Sequence, residues 1–230
     1  MIACVHQPNF LPWLGFFAKL AASDVYIVMD NVQFPRNSFV NRVRVGGSSP
    51  AAWLTVPTRH AGRLELRIDE VEINWESDWT RKHVATLRQR YARSAWIADV
   101  LDPIEQILAR RYRLLAEQNL ELVRFILQVC GIERRIVRGS ELHGEGANSA
   151  LIVSMCKTVG ATTYLAGQGA ADYEDLGVYA AAGIAYRRTS FVHPVYAQRG
   201  GRDFAPGLSI LDALLNAGPE RTSELVRAGV

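Results

Sequence analysis

The feature that most constrains this chain is its first 44 residues, where two short apolar runs flank an amphipathic pattern and end in a polar loop. Ile2-Ala3-Cys4-Val5 has the length of a buried strand and is stopped by His6-Gln7-Pro8. Proline has no N–H to give a sheet ladder, so the chain must turn outward there. From about Trp13 to Ala22 apolar residues crowd one helical face, and Val25 to Met29 forms a second apolar run. Asp30-Asn31-Val32-Gln33-Phe34 then leaves that run with polar side chains at its carboxyl end. Ligands of open α/β sheets bind at that end of the strands. His6, Gln7, Asp30 and Gln33 are therefore expected to converge on one rim.

Beyond Phe34 the pattern changes. Val43 and Val45 alternate with Arg42 and Arg44, Gly46 to Pro50 is a turn, and Trp53 to Pro57 is a partner strand, which predicts a β-hairpin. Leu64-Glu65-Leu66-Arg67-Ile68 and Val71-Glu72-Ile73 alternate again, so edge strands or a second ribbon are expected, making about 35–75 a ribbon insertion. Residues about 78–130 read as helical. Ser77 or Asp78 can cap a helix to about Tyr91. A long helix is then expected from Pro103 until Gly131, with Leu108, Leu115, Leu122 and Ile126 on one face. After Glu133 a strand–helix rhythm returns, with strands at Arg135–Arg138, Thr162–Ala166 and Ile184–Arg188. Helices are expected at about Ser149–Val159, Ala170–Ala182, Ser209–Leu215 and Glu220–Arg227. A β-α-β-α-β run calls for parallel strands joined by right-handed crossovers.

A formal charge of +3 on 230 residues gives no argument for binding duplex nucleic acid. No run approaches the roughly 18 apolar residues of a spanning helix, and no basic segment precedes an apolar one, so neither a membrane span nor a signal peptide is expected. The three cysteines, Cys4, Cys130 and Cys156, are odd in number, lack C-x-x-C spacing and sit among apolar residues. They are read as buried reduced thiols of a cytoplasmic protein.

The blocks HQPNFLPWLGFFAKL, DVYIVMDNVQF, FVNRVR and WLTVP occur in order, followed by TTYLAGQGAADY, HPVYAQ and FAPGLSILDALLNAG. With them the chain resembles the WbqC-like family along nearly its whole length. The resemblance, with the element pattern, implies a single α/β domain over 1–230. Its Rossmann-like, mostly parallel sheet would carry flanking helices, the inserted ribbon and the long helix. The resemblance also implies a place in O-antigen or other polysaccharide biosynthesis, with transfer of a glycyl or other acyl group to an amino sugar. It carries over no catalytic residues. The strand–loop–helix start is also similar to nucleotidyltransferases with an H-x-G-H signature. Aligning Gly15 with their glycine puts Trp13 and Phe16 in place of both histidines, so their chemistry is not supported.

Four constellations could carry chemistry. His6-Gln7-Pro8-Asn9 places an imidazole at a strand end, where it can act as a base or cap loop backbone. Arg36, Asn37, Asn41, Arg42 and Arg44 offer guanidinium forks and amides for phosphate, pyrophosphate or carboxylate, or form the charged face of a ribbon, which is the preferred reading for Arg44. Gly167-Gln168-Gly169 turns a strand into a helix near Tyr173. It can hold an anion on backbone N–H groups, offer Gln168 and Tyr173 to a sugar or amide, or be a plain tight turn. His193-Pro194-Val195-Tyr196-Ala197-Gln198 could bring a second imidazole to the rim. No spacing suits a metal, and no serine-nucleophile motif occurs.

The first reading is an acyl or aminoacyl transferase acting on an amino sugar or related amine. His6 is its general base, Asp30 an orienting or assisting acid and His193 a further catalytic candidate. Gln7, Asn9, Gln33, Arg36, Asn41, Arg42, Gln168, Tyr173, Tyr196 and Gln198 are candidate substrate holders. The donor could be borne by coenzyme A, a carrier protein or RNA, and no cofactor is specified. The alternatives are a non-catalytic binding or assembly protein of a biosynthetic cluster, and a nucleotide-dependent activating or ligating enzyme.

Overall fold

The computed structural model describes residues 1–35, 37–47, 50–59, 65–170, 174–199 and 203–229. Arg36, Leu64 and Tyr173 lie outside the described residues.

The chain opens with β1 (Ile2–His6), α1 (Leu14–Ala21) and β2 (Val25–Val28), as the apolar runs predict. Two antiparallel ribbons follow: β3 (Arg42–Val45) with β4 (Ala52–Thr55), and β5 (Thr58–Arg59) with β6 (Glu72–Ile73). Next come α2 (Trp79–Arg90), α3 (Asp102–Ala109) and α4 (Leu115–Val129). The final part alternates β7 (Arg135–Arg138), α5 (Ser149–Val159), β8 (Thr163–Ala166), α6 (Leu176–Ala181) and β9 (Ala185–Arg188), before α7 (Ile210–Ala217) and α8 (Pro219–Ala228).

The central sheet has the order β7-β2-β1-β8-β9, and every neighbouring pair is parallel. This is an α/β, Rossmann-like arrangement in which the strand order reverses beside β1. Both faces are covered, so side chains alternate between two apolar layers. Cys4, Tyr26, Val28 and Leu165 face the layer that includes α1, α2, α3, α4, α7 and α8. Ala3, Val5, Val25, Ile27 and Tyr164 face α5 and α6. Among the described residues no helix is long and apolar enough to cross a membrane. All three thiols are buried and unpaired, and burial pushes Cys130 and Cys156 up to about 12.

Two expectations from the periodicity are corrected. The long helix is broken between α3 and α4, where Arg111 takes a left-handed φ of 52°. Residues 112–115 serve the ribbon instead: Ile73 N donates to Arg113 O at 3.0 Å, and Leu115 N to Val71 O at 2.9 Å. Trp75 Nε1 donates to Tyr112 O at 2.9 Å. No glycine or proline marks Arg110-Arg111-Tyr112-Arg113-Leu114, so these tertiary bonds leave no local signal. The helix expected at 170–182 is shorter, with Asp175 capping Gly177 N at 2.9 Å. Other caps follow the sequence: Asp78 accepts from Arg81 N, Ser209 accepts from Leu211 N, and Gly160 closes α5 with a φ of 78°.

The loop leaving β1 is fixed from far along the chain. Asn119 of α4 donates from Nδ2 to Pro8 O at 2.8 Å and to Val40 O at 2.7 Å, joining loop to ribbon. Phe10 N donates to Phe39 O at 2.9 Å, Ile210 N to Pro12 O at 2.8 Å, and Ser209 Oγ to Leu11 O at 2.8 Å. Leu11, held by that hydroxyl, has a φ of 43°.

The double bond from Asn119 generates a prediction. Asn119→Ala leaves two buried carbonyls without their donor, at about 1–3 kcal/mol each before relaxation. The variant is expected to lose about 2–4 kcal/mol in urea unfolding, without a change in slope. A midpoint equal to the parent's would show that the clamp does not hold the loop.

Candidate functional site

A cavity of about 750 Å³ opens where the strand order reverses, and is lined from the carboxyl ends of β1, β2 and β8. Open parallel sheets leave a crevice at this point because adjacent crossovers depart to opposite faces. Its size is that of a site for a small organic ligand. From the β1 end come Val5, His6 and Gln7; from α1 and its approach, Trp13, Gly15, Phe16 and Lys19. Met29, Val32 and Gln33 follow β2, while Gly167, Gln168 and Gly169 follow β8. Asn148, Ser149, Leu151 and Ile152 bring the first turn of α5, and Tyr164, Glu174, Thr189 and Phe191 complete the wall.

His6 is half-buried, with its ring edge-on to Phe16 at 5.0 Å. Its Nδ1 lies 3.0 Å from Gln7 O. A carbonyl only accepts, so Nδ1 carries the proton and Nε2 keeps its lone pair. Burial, and then the nearby Lys19 charge, pull the imidazole down from 6.5 to about 4. It is neutral at physiological pH.

Lys19 is an unusual member of this wall, a buried cation in the apolar stretch Leu14-Gly15-Phe16-Phe17-Ala18-Lys19-Leu20-Ala21. Its Nζ donates to Val5 O at 2.8 Å and lies 5.9 Å from the centre of the Tyr164 ring. Burial pushes the ammonium down, against the Cys4 sulfur and Glu174 carboxylate, which push it up. Glu174 accepts from Tyr164 Oη at 3.0 Å through Oε1, while its buried Oε2 has no partner among the described residues. Neither Lys19 nor Glu174 was singled out from sequence. The lone charge in an apolar helix was the available signal for Lys19; Glu174 had none.

The structure brings together four of the expected residues, His6, Gln7, Gln33 and Gln168, around one cavity. Gln168 donates from Nε2 to Phe191 O at 2.7 Å, tying the turn after β8 to the segment after β9. The other described candidates are not among the cavity-lining residues. Asp30 is fully buried; its carboxylate accepts from Arg138 Nε at 2.7 Å, Ser140 N at 2.8 Å and Ser140 Oγ at 3.0 Å. It bridges β2 to the end of β7. His193 stacks between Trp13 and Tyr196, with ring centres 6.1 and 6.4 Å away, so it backs the wall through Trp13. Tyr196 donates to Asp212 Oδ2 at 2.9 Å, and Gln198 exchanges two bonds with the backbone of Ala205. Asn9 is buried, and Asn41 Nδ2 donates to Val56 O at 3.2 Å across the ribbon. Arg42 lies over the Trp53 ring at 4.6 Å. Arg36 and Tyr173 fall outside the described residues. Among the described residues no three His, Cys, Asp or Glu side chains gather around a possible metal position.

The imidazole environment sets a pH dependence. The folded protein disfavours protonated His6, so the unfolded chain binds more protons below about pH 6.5 and stability falls as acid is added. The contribution is full above about 6.5 and is lost as pH falls through about 4. His83, between Phe10 and Trp79, is likewise pulled to about 4 by burial and adds to the same trend. Urea midpoints between about pH 7 and about pH 4 are expected to fall less steeply for His6→Gln than for the parent. Parallel curves would show that the imidazole is not desolvated.

The comparisons place the chain among known sequences. The model of the WbqC-like protein family matches residues 7–224. A protein of Mycobacterium tuberculosis (strain ATCC 25618 / H37Rv), named Uncharacterized protein Rv1507c, is 31% identical over 219 residues, covering 93% of each chain. No solved structure matches. By the span of the family match and the full-length relationship to the mycobacterial protein, this chain belongs to the WbqC-like protein family.

Proposed function

We propose that the protein transfers an acyl or aminoacyl group, such as glycyl, onto the amine of an amino sugar or related small molecule. The observation that carries this reading is the neutral His6 imidazole, with Nδ1–H committed to Gln7 O in the cavity wall. Nε2 is left to take the proton that the attacking amine sheds as its nitrogen bonds to the acyl carbon. Collapse of the adduct breaks the bond to the donor's leaving group, which carries the proton away. The low resting pKa keeps His6 able to accept throughout the physiological range. Negative charge developing on the acyl oxygen raises its basicity as the proton moves. Lys19 supplies fixed positive charge in the same wall, suited to stabilising that oxygen. Gln7, Gln33 and Gln168 offer amides for substrate hydroxyls or carbonyls. The setting proposed with this activity is cytoplasmic biosynthesis of surface polysaccharide or a secondary metabolite.

The test is transfer from acyl- and aminoacyl-thioester or aminoacyl-RNA donors to glucosamine, read by mass spectrometry. Replacing a placed general base costs about 10²–10⁴ in rate. His6→Gln and His6→Ala are expected to lose that much while keeping a cooperative melt. Transfer at the parent's rate in both would remove His6 from the chemistry.

A nucleotide-dependent ligase is a second reading, favoured by the cavity's place at the reversal of strand order. A Cβ added at Gly167 or Gly169 would meet nothing within 4 Å, so the chain there leaves room for a ligand to approach. Acyl transfer that proceeds only with ATP consumption would select it.

A further inference from the structure

The outer face of the β3–β4 ribbon sets two arginines beside two half-exposed aromatic rings. In the antiparallel register Arg42 lies opposite Thr55 and Arg44 opposite Trp53, so these four side chains share one face. Val43, Val45 and Leu54 take the other face and are buried. Arg42 reaches diagonally across the ladder, its guanidinium carbon 4.6 Å from the centre of the Trp53 ring. Phe39, on the approach to β3, has its ring centre 6.1 Å from that of Trp53, with the planes 36° apart. Phe39 is 52% exposed and Trp53 48%. None of the ion pairs among the described residues includes Arg42 or Arg44.

A two-stranded ribbon is marginal on its own, and this one is braced from outside. Arg90 of α2 donates to Gly46 O at 3.0 Å and to Pro50 O at 2.7 Å across the turn. Gly46 N donates to Tyr91 Oη at 3.0 Å, and Ser209 N to Arg44 O at 2.8 Å. At the other end Asn41 holds Val56 O and Asn119 holds Val40 O. Ser209 also forms a bridge with Trp13, which lines the cavity, and Phe39 O accepts from Phe10 N. The ribbon is thus mounted on the loop that carries Gln7 and Trp13 into the cavity wall.

Guanidinium groups without a carboxylate suit phosphate, which they can grip with paired N–H donors. Exposed rings beside them suit planar bases, which stack on aromatic side chains whatever their sequence while cations follow the strand's backbone. Bases inside a duplex are already stacked on one another and cannot use the rings. A protein partner fits less well. A stable interface covers about 800 Å² on each partner, whereas two half-exposed rings offer about 200 Å².

We propose that this face binds single-stranded RNA, with unpaired bases stacked on Phe39 and Trp53 and the flanking phosphates held by Arg42 and Arg44. This rests on the transfer reading for its purpose and deepens it: the strand held on the ribbon carries the aminoacyl group that the protein transfers.

The probe is a fluorescein-labelled RNA of about eight nucleotides, within the usual size of a single-strand site. Binding is read by fluorescence anisotropy on the full chain, and folding by circular dichroism and melting. Two phosphate contacts are expected to weaken binding about sevenfold between about 50 and about 200 mM salt. Trp53→Ala, and Arg42→Gln combined with Arg44→Gln, are each expected to bind at least about fivefold more weakly, the low end for one stacked base. Arg221→Gln, which removes an exposed charge on α8, is expected to bind as the parent does. The same RNA annealed to its complement is expected to bind at least about fivefold more weakly than the single strand. No binding by the parent, a loss in only one of the two ribbon variants or in neither, or a duplex held as tightly as the single strand overturns the proposal. Single-stranded DNA held more tightly than the RNA also overturns it. If Trp53→Ala does not fold, Phe39→Ala takes its place under the same criterion. Ribbon-dependent RNA binding without transfer from any donor would refute the transferase reading and leave this surface standing. Transfer by a parent that binds no RNA would do the reverse.

Discussion

β1 is hydrogen-bonded along both edges and buried on both faces, and this single placement governs the rest of the molecule. A strand in that position must end abruptly, because Pro8 cannot continue its ladder. The backbone that leaves it still has to satisfy its polar groups within the protein. It does so with partners from distant parts of the chain: the Tyr26 hydroxyl on His6 O, Phe39 on Phe10, Asn119 on Pro8, and Ser209 with Ile210 on Leu11 and Pro12. The ribbon, α4 and α7 are thereby built around one loop.

That requirement divides the polar residues near the rim into two groups. Asn41, Tyr196, Gln198 and Asp30 bond to backbone or to buried partners and hold elements together. Asp212 is another such hub: its carboxylate accepts from Tyr91 and Tyr196, and a Cβ at Gly46 would come within 2.3 Å of its Oδ1. His6, Gln7, Gln33 and Gln168 instead border the cavity, joined by Lys19 and Glu174. Buried polar groups left unpaired cost too much to be common.

The same economy explains the electrostatics. Lys19 is buried and His6 half-buried, and burial lowers the pKa of both. Each holds a backbone carbonyl, Val5 O or Gln7 O, at the end of β1. The strand end therefore orients the base and the cation together. Proximity to Lys19 makes His6 still harder to protonate, which keeps a neutral acceptor nitrogen available at the end of β1.

Local pattern carried much of this in the sequence. Apolar runs of strand length, helical spacing and stop residues such as Pro8, Gly160 and Ser209 define the elements, because each depends on neighbours within a turn or two. They also place His6, Gln7, Gln33 and Gln168 at strand ends, so part of the rim was legible. The break between α3 and α4 was not, since it is imposed by bonds to the ribbon rather than by residues 110–114 themselves. Nor could the sequence separate Gln168, which borders the cavity while bonding Phe191 O, from Gln198, which bonds the Ala205 backbone away from it: both are amides after a strand. Side-chain type sets what a residue can bond, and only the tertiary arrangement decides which partner reaches it. Glu174 illustrates this most clearly, because Tyr164 and the turn at Ser149 fix one end of its carboxylate and leave the other unmet.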